Sequence, residues 1–387
     1  MPQMQAALVK NIAKAGSPLK TKGSLIITSE ENSPTLPLDL LMVLDLSGSM
    51  SGAGVSVVTD SVIHVLNDLL RPDDRISVIT FNNSARIHTG WTDVNGTVAP
   101  FSAGGGTNLG AEINEVLSFL GSHDMGGNRA GMVLFLSDGL SSGKPNDDNV
   151  RSIPDFGFTM HTIGVTNGAN PTQLEHMAEL ARGHYFHAPT FDDVKKSFSS
   201  IFNLGKTIVY AAPELTIDVK SGCILSNMVQ SPQGIKIEDN LGQGSHTVSL
   251  GHLHKSMRIE LAFEVNVDNV KLGNDNTIAS FQFQNVVSHL SVKGSDEPTE
   301  IYNAPLNQQV TLITQTARAA TATKKGDMAT ATRAITKLEE LGKTVPVATT
   351  RATTLTVATE ATDIGTRLQT LGKIQASSDG ATEIREG

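Results

Sequence analysis

Apolar residues fall into two textures along this chain. From residue 38, short continuous apolar runs alternate with stretches of helical spacing; after Lys206, short β-prone runs are separated by turns. Leu38-Asp39-Leu40-Leu41-Met42-Val43-Leu44 is almost unbroken, which predicts a strand buried on both faces of a parallel sheet. Val55, Val58, Val62, Val65, Leu66 and Leu69 then recur at helical spacing until Arg71-Pro72-Asp73-Asp74 stops the helix. Strands follow at Ile76 to Phe81, Ala85 to Thr92, Met132 to Leu136, Phe158 to Val165 and His184 to His187. Helices are predicted from Leu109, Ile113, Val116, Leu117 and Leu120, then at Pro171 to Ala181 and Asp192 to Leu204. This alternation predicts a doubly wound, mostly parallel α/β domain over residues 39–204.

The flanking segments differ. Residues 1–38 are polar and interrupted by Pro18, Pro34 and Pro37, with one strand near Ser24 to Thr28 expected to join a later sheet. β-prone runs at Ile208 to Tyr210, Leu215 to Val219, His246 to Leu250, Met257 to Val267 and Thr277 to Val287 predict an antiparallel β-sandwich or sheet over residues 205–303. Residues 304–343 read as a helical hairpin turning at Lys325-Gly326-Asp327. The Thr/Ala-rich remainder, 344–387, predicts a helix from Ala352 to Leu371 and a disordered end.

Composition narrows the picture. The 387 residues carry 39 acidic and 30 basic side chains, a formal charge of -9 with no Lys/Arg-rich run. Nucleic acid is therefore not an expected partner, since phosphate binding needs a concentrated basic face. The single cysteine, Cys223, rules out an internal disulfide or a zinc site built from several thiolates, and is expected to be a small buried side chain. Neither a secretion signal nor a membrane-spanning run is evident, so a soluble, cytoplasmic protein is expected.

The chemistry lies at strand ends. In doubly wound sheets ligands sit beyond the carboxyl ends of the strands, where strand order reverses. The first strand runs into Asp45-Leu46-Ser47-Gly48-Ser49-Met50, and the strand at 132–136 brings Asp138 to the same crevice if it packs alongside. Gly104-Gly105-Gly106-Thr107 introduces the second helix with a hydroxyl. Asp45, Ser47, Ser49, Thr107 and Asp138 thus offer five hard oxygen donors, suited to Mg²⁺, Mn²⁺ or Ca²⁺. With few carboxylates on the metal, the ion keeps positive charge and an open position that a partner's Asp or Glu can fill. Other polar features have plainer readings. The Gly104–Thr107 loop lacks the Lys of a phosphate-binding loop, His252 and His254 read as surface histidines, and Asp147, Asp148 and Asp155 read as a solvated face.

The pattern Asp-x-Ser-x-Ser, then Thr, then Asp resembles the metal-ion-dependent adhesion site of the von Willebrand factor type A (VWA) family, position for position. Supporting stretches are Asp73-Asp74-Arg75-Ile76-Ser77-Val78-Ile79-Thr80-Phe81, Leu136-Ser137-Asp138-Gly139 and His161-Thr162-Ile163-Gly164-Val165. More narrowly, the chain resembles intracellular proteins in which such a domain precedes a β-module and helices, including wavy-growth-type RING ubiquitin ligases and intein-associated relatives. One cysteine cannot build a RING, and no intein-like nucleophile follows, so ligase and splicing activities are not implied. The resemblance implies a Mg²⁺-dependent protein-binding, adhesion or scaffold module rather than an enzyme. Self-assembly through the VWA domain and β-module is the alternative, with metal-assisted hydrolysis behind it. No histidine falls in the loops 45–52, 104–108 or 138–145 to serve as a base.

Overall fold

The computed structural model describes residues 2–30, 32–125, 128–137, 143–166, 169–372, 374–376 and 382–384. Two compact units emerge, and neither is a single stretch of chain. One comprises residues 34–212 and 363–372; the other comprises 1–33, 213–362 and 373–386.

In chain order, the first 33 residues supply β1 (Gln3–Leu8), β2 (Ile12–Lys14) and β3 (Leu19–Thr28). The α/β unit follows as β4 (Leu38–Asp45), α1 (Ala53–His64), β5 (Arg75–Phe81), β6 (Ala85–Thr92), α2 (Leu109–Gly121), β7 (Ala130–Ser137) and α3 (Asp147–Arg151). It continues through β8 (Phe158–Val165), α4 (Pro171–Leu180), β9 (Tyr185–Ala188), α5 (Phe191–Gly205) and β10 (Ile208–Tyr210). Next come β11 (Glu214–Val219), β12 (Cys223–Ser231), β13 (Ile235–Leu241), β14 (Gly244–Ser249), β15 (Leu253–His254), β16 (Arg258–Val267), β17 (Gly273–Phe283) and β18 (Val286–Ser295). Five helices follow, α6 (Pro298–Asn303), α7 (Gln308–Lys324), α8 (Met328–Gly342), α9 (Pro346–Glu360) and α10 (Ile364–Gly372), and after them two short strands, β19 (Ile374–Ala376) and β20 (Thr382–Ile384).

The α/β unit is built on a six-stranded sheet of order β6-β5-β4-β7-β8-β9. All pairings are parallel except that of β6 with β5. Every residue of β4, β7 and β8 is buried, as their apolar runs require. Alternation along β4 divides the core: Leu40, Met42 and Leu44 face Val58, Val62, Phe198 and Phe202 of α1 and α5. Leu41 and Val43 face Ile113, Val116 and Leu120 of α2 and Leu174 and Met177 of α4.

One position inside the apolar run of β4 is ionic. Asp39 is wholly buried, and its carboxylate accepts hydrogen bonds from Arg75 (2.9 Å) and Arg129 (2.8 Å) and lies 2.9 Å from His123 Nε2. Burial alone would raise its pKa, but the bonds from Arg75, Arg129 and His123 hold it below the usual carboxylate value. Nearby, buried Asp74 accepts the Leu38 amide at 2.8 Å and pairs with Arg71. These groups fasten the amino ends of β4, β5 and β7 and leave the carboxyl ends for chemistry.

The second unit contains two five-stranded sheets, β1-β3-β16-β12-β13 and β14-β11-β17-β18-β2. Phe263 of β16 and Phe281 of β17 meet between them, ring centroids 5.7 Å apart. The outer face of the first sheet is covered by α7, whose Ile313 and Ala317 pack on Ile26 and Ala262. Burial on both faces explains the unbroken Leu25-Ile26-Ile27 of β3.

Several departures from the sequence expectations have local causes. The first 33 residues contribute three strands rather than one, with β1 and β3 in one sheet and β2 in the other. The run read as one strand from Thr277 to Val287 is a hairpin, because Gln284 takes a φ of 53° and turns the chain without a glycine. The hairpin of β12 and β13 interleaves polar residues on its exposed side and was not foreseen as two strands. Cys223 is buried at the start of β12, as expected. His252, expected at the surface, is buried, with its ring 6.4 Å from that of His254. The helix expected from Ala352 to Leu371 is broken: α9 ends in an extended residue, Ala361, and Asp363 caps α10 by accepting the Thr366 amide at 2.7 Å. α9 belongs to the β unit and α10 to the α/β unit, where Leu368 joins the core. The end expected to be disordered instead holds the antiparallel pair β19 and β20 where it is described, and 373, 377–381 and 385–387 lie outside the described residues.

α9 has a second attachment besides its buried Ala348, Ala352, Leu355 and Ala358. Arg351, fully buried, donates to both oxygens of Glu260 at 2.9 and 3.0 Å, and Arg258 pairs with the same carboxylate. Burial pushes the Glu260 pKa up, but the two arginines outweigh it and hold the carboxylate ionised. Glu260→Gln should destabilise the β unit by about 3–5 kcal/mol, because two buried guanidinium groups lose their counter-ion; the shift of its urea midpoint measures this. The depressed pKa gives stability that is present above about 4.5, the unfolded value, and lost as pH falls through the folded value. Acid unfolding followed by circular dichroism should therefore show a transition of this unit below pH 4.5 that Glu260→Gln removes.

Candidate functional site

Sheet order places the site. The chain leaves β4 for β5 on one side and comes back to β7 on the other, so strand order reverses between β4 and β7. Leu44 of β4 pairs with Leu136 of β7, so Asp45 and Ser137 end neighbouring strands at the same level. The Asp45 carboxylate is fully buried and oriented through both oxygens: Oδ1 accepts the Ser47 amide at 2.9 Å and Oδ2 accepts the Ser137 hydroxyl at 2.8 Å. The turn that follows brings the Ser47 and Ser49 hydroxyl oxygens to 3.0 Å of each other, Ser47 buried and Ser49 exposed. A buried anion thus sits behind two converging hydroxyls at the mouth of the crevice.

The loop carrying Thr107 is tied against this turn by backbone bonds in both directions. Gly104 donates to the Leu46 carbonyl at 2.8 Å, and Gly48 donates to the Gly105 carbonyl at 2.9 Å. Leu46 in turn donates to Phe81, the last residue of β5, at 2.8 Å. Gly105 has a φ of +86°, and a Cβ there would lie 2.9 Å from Asn83 Nδ2, so a glycine is required on both counts. Thr107 is partly buried at the end of this loop. Asp138 lies outside the described residues; Ser137, immediately before it, is in contact with Asp45.

Two residues of the neighbourhood escaped the sequence reading. Asn83, at the tip of the β5–β6 hairpin, accepts the Gly106 amide at 2.7 Å and so pins the Thr107 loop from a third direction. Its only sequence signal was a polar hairpin turn. Glu112, in the first turn of α2, is fully buried; Oε1 accepts the Asn108 amide at 3.0 Å, and Oε2 has no hydrogen-bond partner among the described residues. Burial, aided by the charge of Asp45 and opposed by the Asn108 bond, pushes its pKa up to about 8. The signal available was a glutamate on the inward side of an amphipathic helix.

Hydroxyl and carboxylate oxygens are the donors that Mg²⁺, Mn²⁺ and Ca²⁺ prefer, and the carboxylate behind the hydroxyls supplies the charge, so the residues fit a hard divalent cation. The remaining polar candidates sit apart from this crevice in plain roles. Asp147 meets His176 at 2.9 Å and Asp148 meets Arg151 at 3.1 Å, all exposed at the surface. Tyr185 and His187 hydrogen-bond to each other at 3.0 Å, His187 against Gly365 of α10.

Comparison with known proteins follows the same lines. Residues 39–200 match the family model of the von Willebrand factor type A domain. The chain is 24% identical over 322 residues to the uncharacterized protein sll0103 of Synechocystis sp., covering 78% of this chain and 73% of that protein. It is 24% identical over 194 residues to inter-alpha-trypsin inhibitor heavy chain H2 of Mus musculus, covering 44% of this chain and only 20% of that protein. Among solved structures, a von Willebrand factor type A protein from Catenulispora acidiphila superposes with a TM-score of 0.69 at 16% identity, covering 99% of this chain and 93% of that one. The ArnB paralog VWA2 from Sulfolobus acidocaldarius superposes with a TM-score of 0.67 at 16% identity, covering 96% of this chain and 97% of that one. At such identity the structural likeness speaks for the fold alone. The family match and that shared fold together support residues 39–200 as a VWA domain.

Proposed function

We propose that the crevice at the ends of β4 and β7 holds a Mg²⁺-class ion through Asp45, Ser47, Ser49, Thr107 and Asp138, and that an Asp or Glu of a protein partner completes its shell. The observation that carries this reading is the convergence of the Ser47 and Ser49 hydroxyls in front of the buried, doubly hydrogen-bonded Asp45. Hydroxyls leave the ion's charge largely uncancelled, so an anionic side chain gains a metal–oxygen bond on docking. The bound ion would supply electrostatic attraction at a fixed point; the chain supplies shape and orientation.

Binding is favoured over catalysis because no histidine lies in the loops 45–52, 104–108 or 138–145. An acidic protein partner suits the bare ion site, whereas the chain's own net charge of -9 disfavours nucleic acid. The likeness to intracellular proteins with a β-module and helices belongs to the same reading, without ligase or splicing chemistry. No helix among the described residues is long and apolar enough to cross a membrane.

Calorimetric titration of the full chain with Mg²⁺ should give one site, and Asp45→Ala should abolish it while circular dichroism stays unchanged. Partner proteins retained by the immobilised chain in Mg²⁺ should be released by EDTA and not retained by Asp45→Ala. Retention that survives both treatments sinks the docking mechanism. Asn83→Ala, which frees the Gly106 amide, should weaken Mg²⁺ binding by roughly 0.5–1.5 kcal/mol, the usual worth of one hydrogen bond, in the same titration.

A further inference from the structure

We propose that Glu112 is an outer-shell acceptor of the metal site, its free oxygen holding a water molecule bound to the ion on the protein side of the crevice. The inference rests on the ion site proposed above and assigns it a residue outside the five-donor pattern. Three observations converge on it.

The first is placement. Glu112 lies one turn into α2, five residues after Thr107, and side chains on a helix lean toward its amino end. Its carboxyl group therefore sits over the first turn, beside the loop that is tied to the Ser47–Ser49 turn. The flanking Leu109, Ile113 and Val116 pack on Val43 and Phe135 of β4 and β7, so this side of the helix faces the strands that end at Asp45 and Ser137. The negative charge of Asp45 acts on Glu112.

The second is the unused acceptor. A buried carboxyl oxygen with no hydrogen-bond partner among the described residues is costly to leave unmatched. Its fellow oxygen is spent on the Asn108 amide, which fixes the group's orientation. A structural acid would be satisfied on both oxygens, as Asp45 and Glu260 are. The free oxygen of Glu112 is what a donor arriving with a ligand would need.

The third is the chemistry of the ion. Mg²⁺ gives up water reluctantly and keeps several molecules even when protein-bound, each an enhanced hydrogen-bond donor. Acceptors that hold such waters orient the shell and tune affinity, and their loss typically weakens binding about 10–100-fold. Complete burial keeps Glu112 from any substrate, so it acts as a positioning residue through water.

The test titrates the full chain with Mg²⁺ and records melting temperatures in EDTA and in Mg²⁺, for wild type, Glu112→Gln, Glu112→Leu and Asp45→Ala. Both Glu112 variants should bind Mg²⁺ about tenfold more weakly or worse and lose part of the Mg²⁺-induced rise in melting temperature. In EDTA Glu112→Gln, which keeps an acceptor for the Asn108 amide, should melt no lower than wild type, because the acid it removes is under-satisfied when no ion is present. A purely structural role would instead lower the EDTA melting temperature and leave the affinity within about twofold, and that result overturns the proposal. If wild type binds Mg²⁺ and Asp45→Ala does not, yet both Glu112 variants match wild type, only the role of Glu112 falls. If wild type itself binds no Mg²⁺, the ion site falls with it.

Discussion

Strand β4 is buried over its whole length between β5 and β7, so the polar groups it carries can act only at its ends. At the amino end Asp39 gathers Arg75, Arg129 and His123 into a buried ionic cluster. At the carboxyl end the Asp45 carboxylate accepts a backbone amide and a serine hydroxyl. The contrast is the central electrostatic fact of the α/β unit. One carboxylate is matched with arginines to stabilise the fold, and its counterpart is oriented by an amide and a hydroxyl.

The turn after Asp45 and the loop before Thr107 are tied together by hydrogen bonds. Hydroxyl and carboxylate ligands bind an ion well only if they are already in place, since ordering them on binding would cost conformational freedom. Here the order is supplied beforehand by backbone bonds from Leu46 to Phe81, Gly104 to Leu46 and Gly48 to Gly105, and by one from the Gly106 amide to the Asn83 side chain. The left-handed glycine at 105 is the hinge of that network, because a side chain would strike Asn83. Glu112 fits the same logic from beneath, with one oxygen anchored and the other uncommitted.

The β unit solves a different problem. Its outer helices are rich in threonine and alanine and have little apolar surface to bury, so attachment needs something more specific. Arg351 supplies it by reaching Glu260 in the middle of a sheet, a paired charge whose value lies in geometry as much as in energy. The buried face of α7, with Ile313 and Ala317 on Ile26 and Ala262, gives the rest.

The sequence by itself determined the alternating α/β architecture, because burial on both faces writes unbroken apolar runs and helix faces write a 3.6-residue period. It also named the residues that terminate the strands, since a site at a reversal of strand order must be built from strand-end loops. Tertiary structure alone decided what depends on distant partners. Asp39 sits in an apolar run that gives no sign of two arginines and a histidine waiting from other segments. Asn83 is an ordinary turn residue until the Gly106 amide is set against it. The hairpin at Gln284 turns without glycine because flanking strands impose the conformation, and α10 returns to the α/β unit because Leu368 finds its core there. Glu112 is the sharpest case. A glutamate near a helix start normally reads as a surface charge favoured by the helix dipole, and only packing against β4 and β7 makes it a buried acid with an oxygen to spare.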